Sequence, residues 1–245
     1  MVSQESVLLI VAADQREFSG IVGARSVKSS ARWAAEARLQ GRRCLLIANG
    51  LGRTNASAAV DQACRDYTVD LVVSTGYAGA LRPRLKVGNI LVATTVLQRT
   101  GSLEYPVNLP AYAPRPGVLT GSLLTIDHIA QSVDEKASLA ETGADAVDME
   151  ASAVAAKAES RSLPFFCIRS ISDDSETDLG IDFNRARRPD GTVSGWGVFG
   201  QAVRQPSLWP RLNRLRRSAS EASRNLAEFL NECQFPLKDR SSGGK

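Results

Sequence analysis

A chain of 245 residues with 43% apolar and 23% charged side chains suits one large α/β domain, able to bury roughly 70–75% of its unfolded surface. Its longest apolar runs fall well short of the ~20 residues that cross a bilayer, no basic region precedes a long apolar segment at the N-terminus, and a single histidine leaves no metal-ligand cluster. The net charge of +4 is uneven: residues 181–245 hold 12 Lys/Arg against 6 Asp/Glu, whereas residues 1–180 hold 18 against 20.

In chain order, Val7 to Ala13 is a continuous apolar run suited to a strand buried on both faces, and it ends in the charged segment Asp14-Gln-Arg-Glu-Phe18. Arg32 to Leu39 reads as a helix and Arg43 to Ala48 as a second strand. Asn49-Gly-Leu-Gly-Arg-Thr-Asn-Ala56 is a tight turn into a helix that Thr54 or Asn55 can cap, without the spacing of a nucleotide P-loop. Asp70 to Ser74 is a third strand. Thr75-Gly-Tyr-Ala-Gly-Ala-Leu81 is a second Gly-rich turn, where small residues let backbone N–H groups approach a ligand. Leu91 to Leu97 continues the sheet, and residues 98–117, with four of the ten prolines and two tyrosines, read as a long loop serving as lid or interface.

Val118 to Ile126 is a further strand leading to Asp127-His128, and His128 reads as a surface or packing residue. From Asp148 an Ala-rich helix is expected, with Asp148 and Glu150 in its first turn, where the helix dipole favours acids. Pro164 closes the connection to a buried strand, Phe165 to Ile171. Ser172, Asp173 and Asp174 follow at its carboxyl end, the place where open α/β sheets keep their reactive groups. Residues 180–206 read as an inserted surface loop, and Ser207 to Cys233 as an amphipathic helix with a seam of Leu208, Leu212, Leu215, Ala219, Ala222, Leu226 and Phe229. That seam is read as packing on the sheet, rather than as a surface for a membrane or nucleic acid. Cys44, Cys64, Cys167 and Cys233 lie far apart with no CxxC pair, as expected of reduced thiols in a cytoplasmic protein. Strands alternating with helices imply βα units and a largely parallel sheet.

Val147-Asp-Met-Glu-Ala151, a helix, and then Ile168-Arg-Ser-Ile-Ser-Asp173 resembles the purine nucleoside phosphorylase and nucleosidase superfamily, with its nearest likeness in the methylthioadenosine/S-adenosylhomocysteine nucleosidases. Residues 49–56 are similar to that family's Gly-(Ile/Val)-Gly-Lys-x-x-Ala turn. Residues 75–81 are similar to its Thr-Gly-Ser-Ala-Gly-Gly-Leu, followed at the right distance by Val87-Gly-Asn-Ile90, although Tyr77 replaces a small hydroxyl residue. The likeness covers about residues 7–178 and the terminal helix, all within one domain of residues 1–245, and leaves the 180–206 insertion outside.

The resemblance implies a three-layer α/β sandwich around a mixed, largely parallel sheet, and cleavage of a purine N-glycosidic bond. That reaction needs a proton for the departing base, a counter-charge for the cationic sugar, and a nucleophile. Asp173 matches the family's general acid. Glu150 matches the carboxylate that grips the ribose hydroxyls, and Met149 packs on the sugar. Gly76, Tyr77, Ala78 and Ser172 match its substrate-contacting positions. Glu17 matches the acid that orients and deprotonates water. Phosphorylases of the superfamily place an arginine three residues before the small hydroxyl residue, and here those two positions are Ser74 and Tyr77. The missing arginine favours hydrolysis of an adenine-type nucleoside, because an anion without a guanidinium partner is poorly held. Arg16, just past the first strand, leaves open a phosphate-binding residue and phosphorolysis of a purine nucleoside. A similar Val-Asp-Met-Glu-Ser turn in hopanoid-biosynthesis phosphorylases adds a hopanoid-linked adenine nucleoside to that alternative. A non-catalytic nucleoside binder, with Tyr77 filling the ribose pocket, is the rival class. The family further implies no cofactor beyond phosphate as co-substrate in a phosphorylase, a small-molecule nucleoside as ligand, and a homo-oligomer (dimer or trimer).

Overall fold

The computed structural model describes residues 5–186, 188 and 208–236. Strand β1 (Val7–Ala12) is buried along its whole length, and its side chains alternate between two packing faces. Val7, Leu9 and Val11 meet helices α1 (Arg53–Asp66) and α3 (Ala151–Glu159) through Ala56, Val60, Val154 and Ala158. Leu8 and Ile10 meet the C-terminal helix α5 (Trp209–Glu232) through Leu226, Phe229 and Leu230. A strand covered on both faces has no position for a polar side chain, which is why it reads as an unbroken apolar run. Each such large side chain contributes roughly 1.5–3 kcal/mol by leaving water.

β1 pairs in parallel with β4 (Arg42–Ala48) and with β5 (Val69–Ala80). Outside β4 run β3 (Trp33–Leu39) and the short β2 (Arg25–Ser26), both antiparallel to their neighbours. On the far side of β1 the sheet closes on itself. β5 pairs with β10 (Phe165–Asp173), β10 with β6 (Ile90–Gln98), β6 with β8 (Val118–Thr125), β8 with β9 (Ala146–Asp148), and β9 returns to β5. β7 (Leu103–Pro106) flanks β6, α2 (Val133–Ala140) follows β8, and α4 (Phe183–Ala186) follows β10. Among the described residues five pairings are parallel and five antiparallel, so the sheet is mixed but not largely parallel. Three of the antiparallel pairings join consecutive strands by hairpin-type links, which need no crossover helix, and the other two, β10–β6 and β5–β9, join strands far apart in the chain.

Several local expectations are corrected. Residues 33–39 form a strand rather than a helix, because Gln40 and Gly41 (φ 49° and 78°) make a two-residue turn that folds β3 back on β4. Thr75 to Ala80 is not a turn but the end of β5, paired with β10 and β9. Asp148 lies in β9 and Glu150 at the N-cap of α3, so neither stands in the first helical turn. Gly52, not Thr54 or Asn55, occupies the N-cap of α1 and supplies no side-chain bond. Residues 98–117 hold β7 but are otherwise irregular. Most of the expected insertion lies outside the described residues. The terminal helix buries Ala222, Leu226, Phe229 and Leu230 against the sheet, while Leu212 and Leu215 pack only partly, beside Ile181 and Leu208.

Candidate active site

The carboxyl ends of β5, β9 and β10 converge on a cavity of about 180 Å³. Tyr77, Ala78 and Gly79 come from β5, Ser172 and Asp173 from β10, and Asp148, Met149 and Glu150 from the β9–α3 corner. Val147 of β9, Leu51 and the segment His128 to Ala130 complete the wall. Through Tyr77, Ile129, Ser172 and Asp173 this cavity adjoins a larger groove, about 1130 Å³, that runs along α5. A separate hollow of about 720 Å³, beside α1 and α3, has Asp127 as its one carboxylate.

Two glycines of β5 make room for two acids. A Cβ on Gly79 would lie 2.9 Å from Asp173 Oδ2. A Cβ on Gly76, whose φ of +135° already favours glycine, would lie 2.7 Å from Glu17 Oε1. Gly76→Ala is expected to cost about 1–3 kcal/mol in backbone strain and to displace Glu17. Thermal melting together with turnover measures this, and wild-type values for both would show that the glycine is dispensable.

Glu17 sits in a 3-10 turn (Gln15–Phe18) just past β1 and is 4% exposed. Its Oε2 accepts the amides of Ala13 and Asp14 at 2.9 and 2.8 Å, and Oε1 accepts that of Tyr77 at 3.0 Å. Burial nevertheless raises its carboxyl above the ordinary range. Glu17 lies behind the Gly76–Tyr77 backbone and is not itself in the cavity wall. Glu150 is in the wall. Its Oε1 accepts the Gly52 amide at 2.7 Å, and burial, with Asp148 nearby, pushes its carboxyl up to about 7. Asp148 is held by Thr125 Oγ1, the Ala151 amide and the fully buried Arg169, whose Nη2 lies 2.6 Å from Oδ2.

Asp173 accepts the Ser172 hydroxyl on Oδ1 at 2.7 Å, and on Oδ2 the ammonium of Lys136 at 2.5 Å. Lys136 is 0% exposed, and its Nζ also donates to the Asp174 carbonyl at 2.6 Å. Sequence motifs gave no hint of this lysine. Helical spacing could have, since Lys136 shares the buried face of α2 with Leu139 and Ala140. His128, read from sequence as surface or packing, lines the cavity between Asp127 (2.7 Å) and Glu135 (2.6 Å). The bond to Asp127, reinforced by Glu135, raises its imidazole above the usual value.

Of the expected site residues, Tyr77, Ala78, Met149, Glu150, Ser172 and Asp173 therefore share one wall. Gly76 and Glu17 form the layer behind it. Arg16 stands apart: its side chain is 80% exposed, lines the larger groove and bonds Asp14 through Nε and Nη2, both at 2.8 Å. Ser74, where phosphorylases would have arginine, receives Arg169 Nη2 at 2.8 Å.

An α/β sheet that gathers three carboxylates round one small cavity at its strand ends defines a protein built to act on a compact polar ligand. The chain belongs to the phosphorylase superfamily, whose family model matches residues 8–190. Similar curated proteins include the 5′-methylthioadenosine/S-adenosylhomocysteine nucleosidase of Mycobacterium tuberculosis, 28% identical over 195 residues, covering 60% of this chain and 76% of that protein. The Bacillus licheniformis nucleosidase of the same name is 28% identical over 172 residues, covering 60% and 74%. Among solved structures, the Helicobacter pylori methylthioadenosine/S-adenosylhomocysteine nucleosidase aligns with a TM-score of 0.68 at 15% identity over 93% of this chain and 97% of its own. The futalosine hydrolase of Helicobacter pylori aligns with a TM-score of 0.68 at 15% identity, over 92% and 96%. The structural likenesses establish a shared fold.

Proposed function

We propose that the protein hydrolyses the N-glycosidic bond of an adenine-type purine nucleoside. The observation that carries this reading is the charge of the cavity wall. Asp148, Glu150 and Asp173 line it, and it contains neither lysine nor arginine. The two guanidiniums nearest the nucleophile's side are committed, Arg16 to Asp14 and Arg169 to Asp148. Asp148 and Asp173 are already paired with Arg169 and Lys136, so neither cation is free for a divalent phosphate, whereas Glu150, once ionised, opposes a developing sugar cation. The nucleosidase and hydrolase names of the relatives above point the same way.

In this reading Asp173 delivers a proton to N7 of the purine, and Ser172 fixes the carboxyl in place. Glu150 accepts the ribose hydroxyls and opposes the positive charge that grows on C1′, with Met149 packed on the sugar. Glu17, whose raised carboxyl suits a base, holds water through the one Oε1 lone pair that its three amide partners leave free. Tyr77 and Ala78 present backbone to the ligand, and Gly76 leaves the space behind them that Glu17 fills. No cofactor enters the chemistry. The same reading keeps a single domain, a homo-oligomer and a reducing compartment, which suits four unpaired cysteines.

Incubation with methylthioadenosine, adenosine and inosine, with and without phosphate, tests the proposal. Adenine release that is independent of phosphate is the expected result. Release only with phosphate would make the protein a phosphorylase, and tight binding without release would make it a binder.

A further inference from the structure

Lys136 is a buried ammonium that the chemistry above does not use. Helix α2 places it on the face it shares with Leu139 and Ala140, where an apolar residue would pack without loss. Burying a charge is costly, and a buried ion pair is often no more stabilising than an apolar pair of the same volume. Stability alone therefore does not account for a lysine at this position. Its two bonds go to Asp173 Oδ2 and to the carbonyl of Asp174, so it is aimed at the acid that faces the purine.

We propose that Lys136 is a positioning residue that keeps the proton Asp173 delivers to the departing purine. The inference rests on the N-glycosidase reading of the cavity. With a lysine ammonium against its outer oxygen, Asp173 stands in the resting protein as a carboxylate in an ion pair, and the pair carries one transferable proton. As the C1′–N9 electron pair settles on the purine, one proton leaves Nζ for the Asp173 carboxyl and one passes from that carboxyl to N7. Asp173 is a carboxylate before and after, and Lys136 is left as a neutral amine. The proton that Glu17 takes from the attacking water is released to solvent, and the amine recovers one from solvent, so the cycle closes. Ser172 donates to the other oxygen throughout and keeps the carboxyl from rotating.

Other charged groups surround this pair. From α2 and the loop before it come Asp134, Glu135 and the His128 ring clamped between Asp127 and Glu135. From the segment after β10 come Asp174, Asp178, whose carboxylate takes the Val133 amide, and Glu176, which is paired with Lys86. Across the cavity stand Glu150, Asp148 with Arg169, and Tyr77; Arg82 donates to the carbonyl of Ala140 at the end of α2. Among these, Lys136 is the cation bonded to Asp173.

The test is the pH dependence of adenine release by wild type, Lys136→Met and Lys136→Arg, with melting curves as the check on folding. In Lys136→Met the proton must come from solvent onto Asp173 itself. The alkaline limb of kcat should then move to lower pH by about two units or more. At pH 8 kcat should fall ~100-fold while KM changes little. Arginine keeps the charge but does not release its proton, so Lys136→Arg should leave the alkaline limb displaced. Should the methionine variant fail to fold, Lys136→Gln, which still donates to Asp173, takes its place with the same expectation. An alkaline limb unmoved in the methionine variant, or restored by arginine, overturns the proposal while leaving the hydrolase reading standing. Absence of base release from the wild type removes both.

Discussion

Glu150→Gln is expected to lower kcat/KM by about 10²–10³-fold, the loss typical of removing one preorganised group that meets charge in the transition state. The amide oxygen of glutamine can still accept from Gly52, so the local structure survives and the change is one of charge. The pH dependence adds a second reading. Burial, with Asp148 beside it, pushes the Glu150 carboxyl up to about 7, so the free protein holds it largely neutral below that pH. Activity, which needs the carboxylate, should rise through about pH 7 in kcat/KM, and glutamine should abolish that limb. The stability effect runs the other way. The unfolded chain ionises this group near the ordinary glutamate value and the folded chain near 7, so its contribution to stability falls as pH climbs between those values. A glutamine variant with an unchanged acidic limb would show that another group sets it.

The largest stability effect is expected at Arg169. Its guanidinium donates to Asp148 Oδ2 through Nε and Nη2, to the Ser74 hydroxyl and to the Ile168 carbonyl, all at 1% exposure. Arg169→Met should cost about 3–5 kcal/mol, because it leaves Asp148 charged and without a counter-ion. For a chain of this size that lowers Tm by roughly 6–20 °C. Asp148→Asn in the same background should recover part of the loss, since an amide oxygen in the Oδ2 position can still accept the Ala151 amide while the amide nitrogen donates to the Thr125 hydroxyl. Calorimetry on the single and double variants decides the matter. A drop below about 1 kcal/mol for Arg169→Met would mean that the pair gives specificity to the corner rather than stability.

Strands β1 and β4 were legible because both their faces are covered, a condition that a continuous apolar run meets; β10 shows the same run as far as Ile168 and then buries Arg169 and Ser170. Residues 33–39 were not. Ala, Glu and Arg are strong helix formers, and the decision was taken outside the segment, by the turn at Gln40 and Gly41. Gly76 and Gly79 suggested a loop, yet they serve inside β5 as space for Glu17 and Asp173, a demand set by residues far away in sequence. The acids themselves were legible through their likeness to a known motif. Lys136 belongs to no motif, and its partner is 37 positions away, so only the fold brings it to the site.

The ring of pairings through β5, β10, β6, β8 and β9 has a consequence for the order of assembly. Its shortest link is three residues long, Ala146 to Asp148, joined to β5 by the Gly79–Val147 and Ala80–Ala146 pairs across more than sixty positions of chain. Contacts so distant along the chain are slow to form, since their loop entropy is lost before any bond repays it. The corner carrying Met149 and Glu150 directly follows β9, so it is expected to take shape when that link shuts. On refolding, amide protection in β1 and β4 should precede the return of turnover, which waits for the barrel to close.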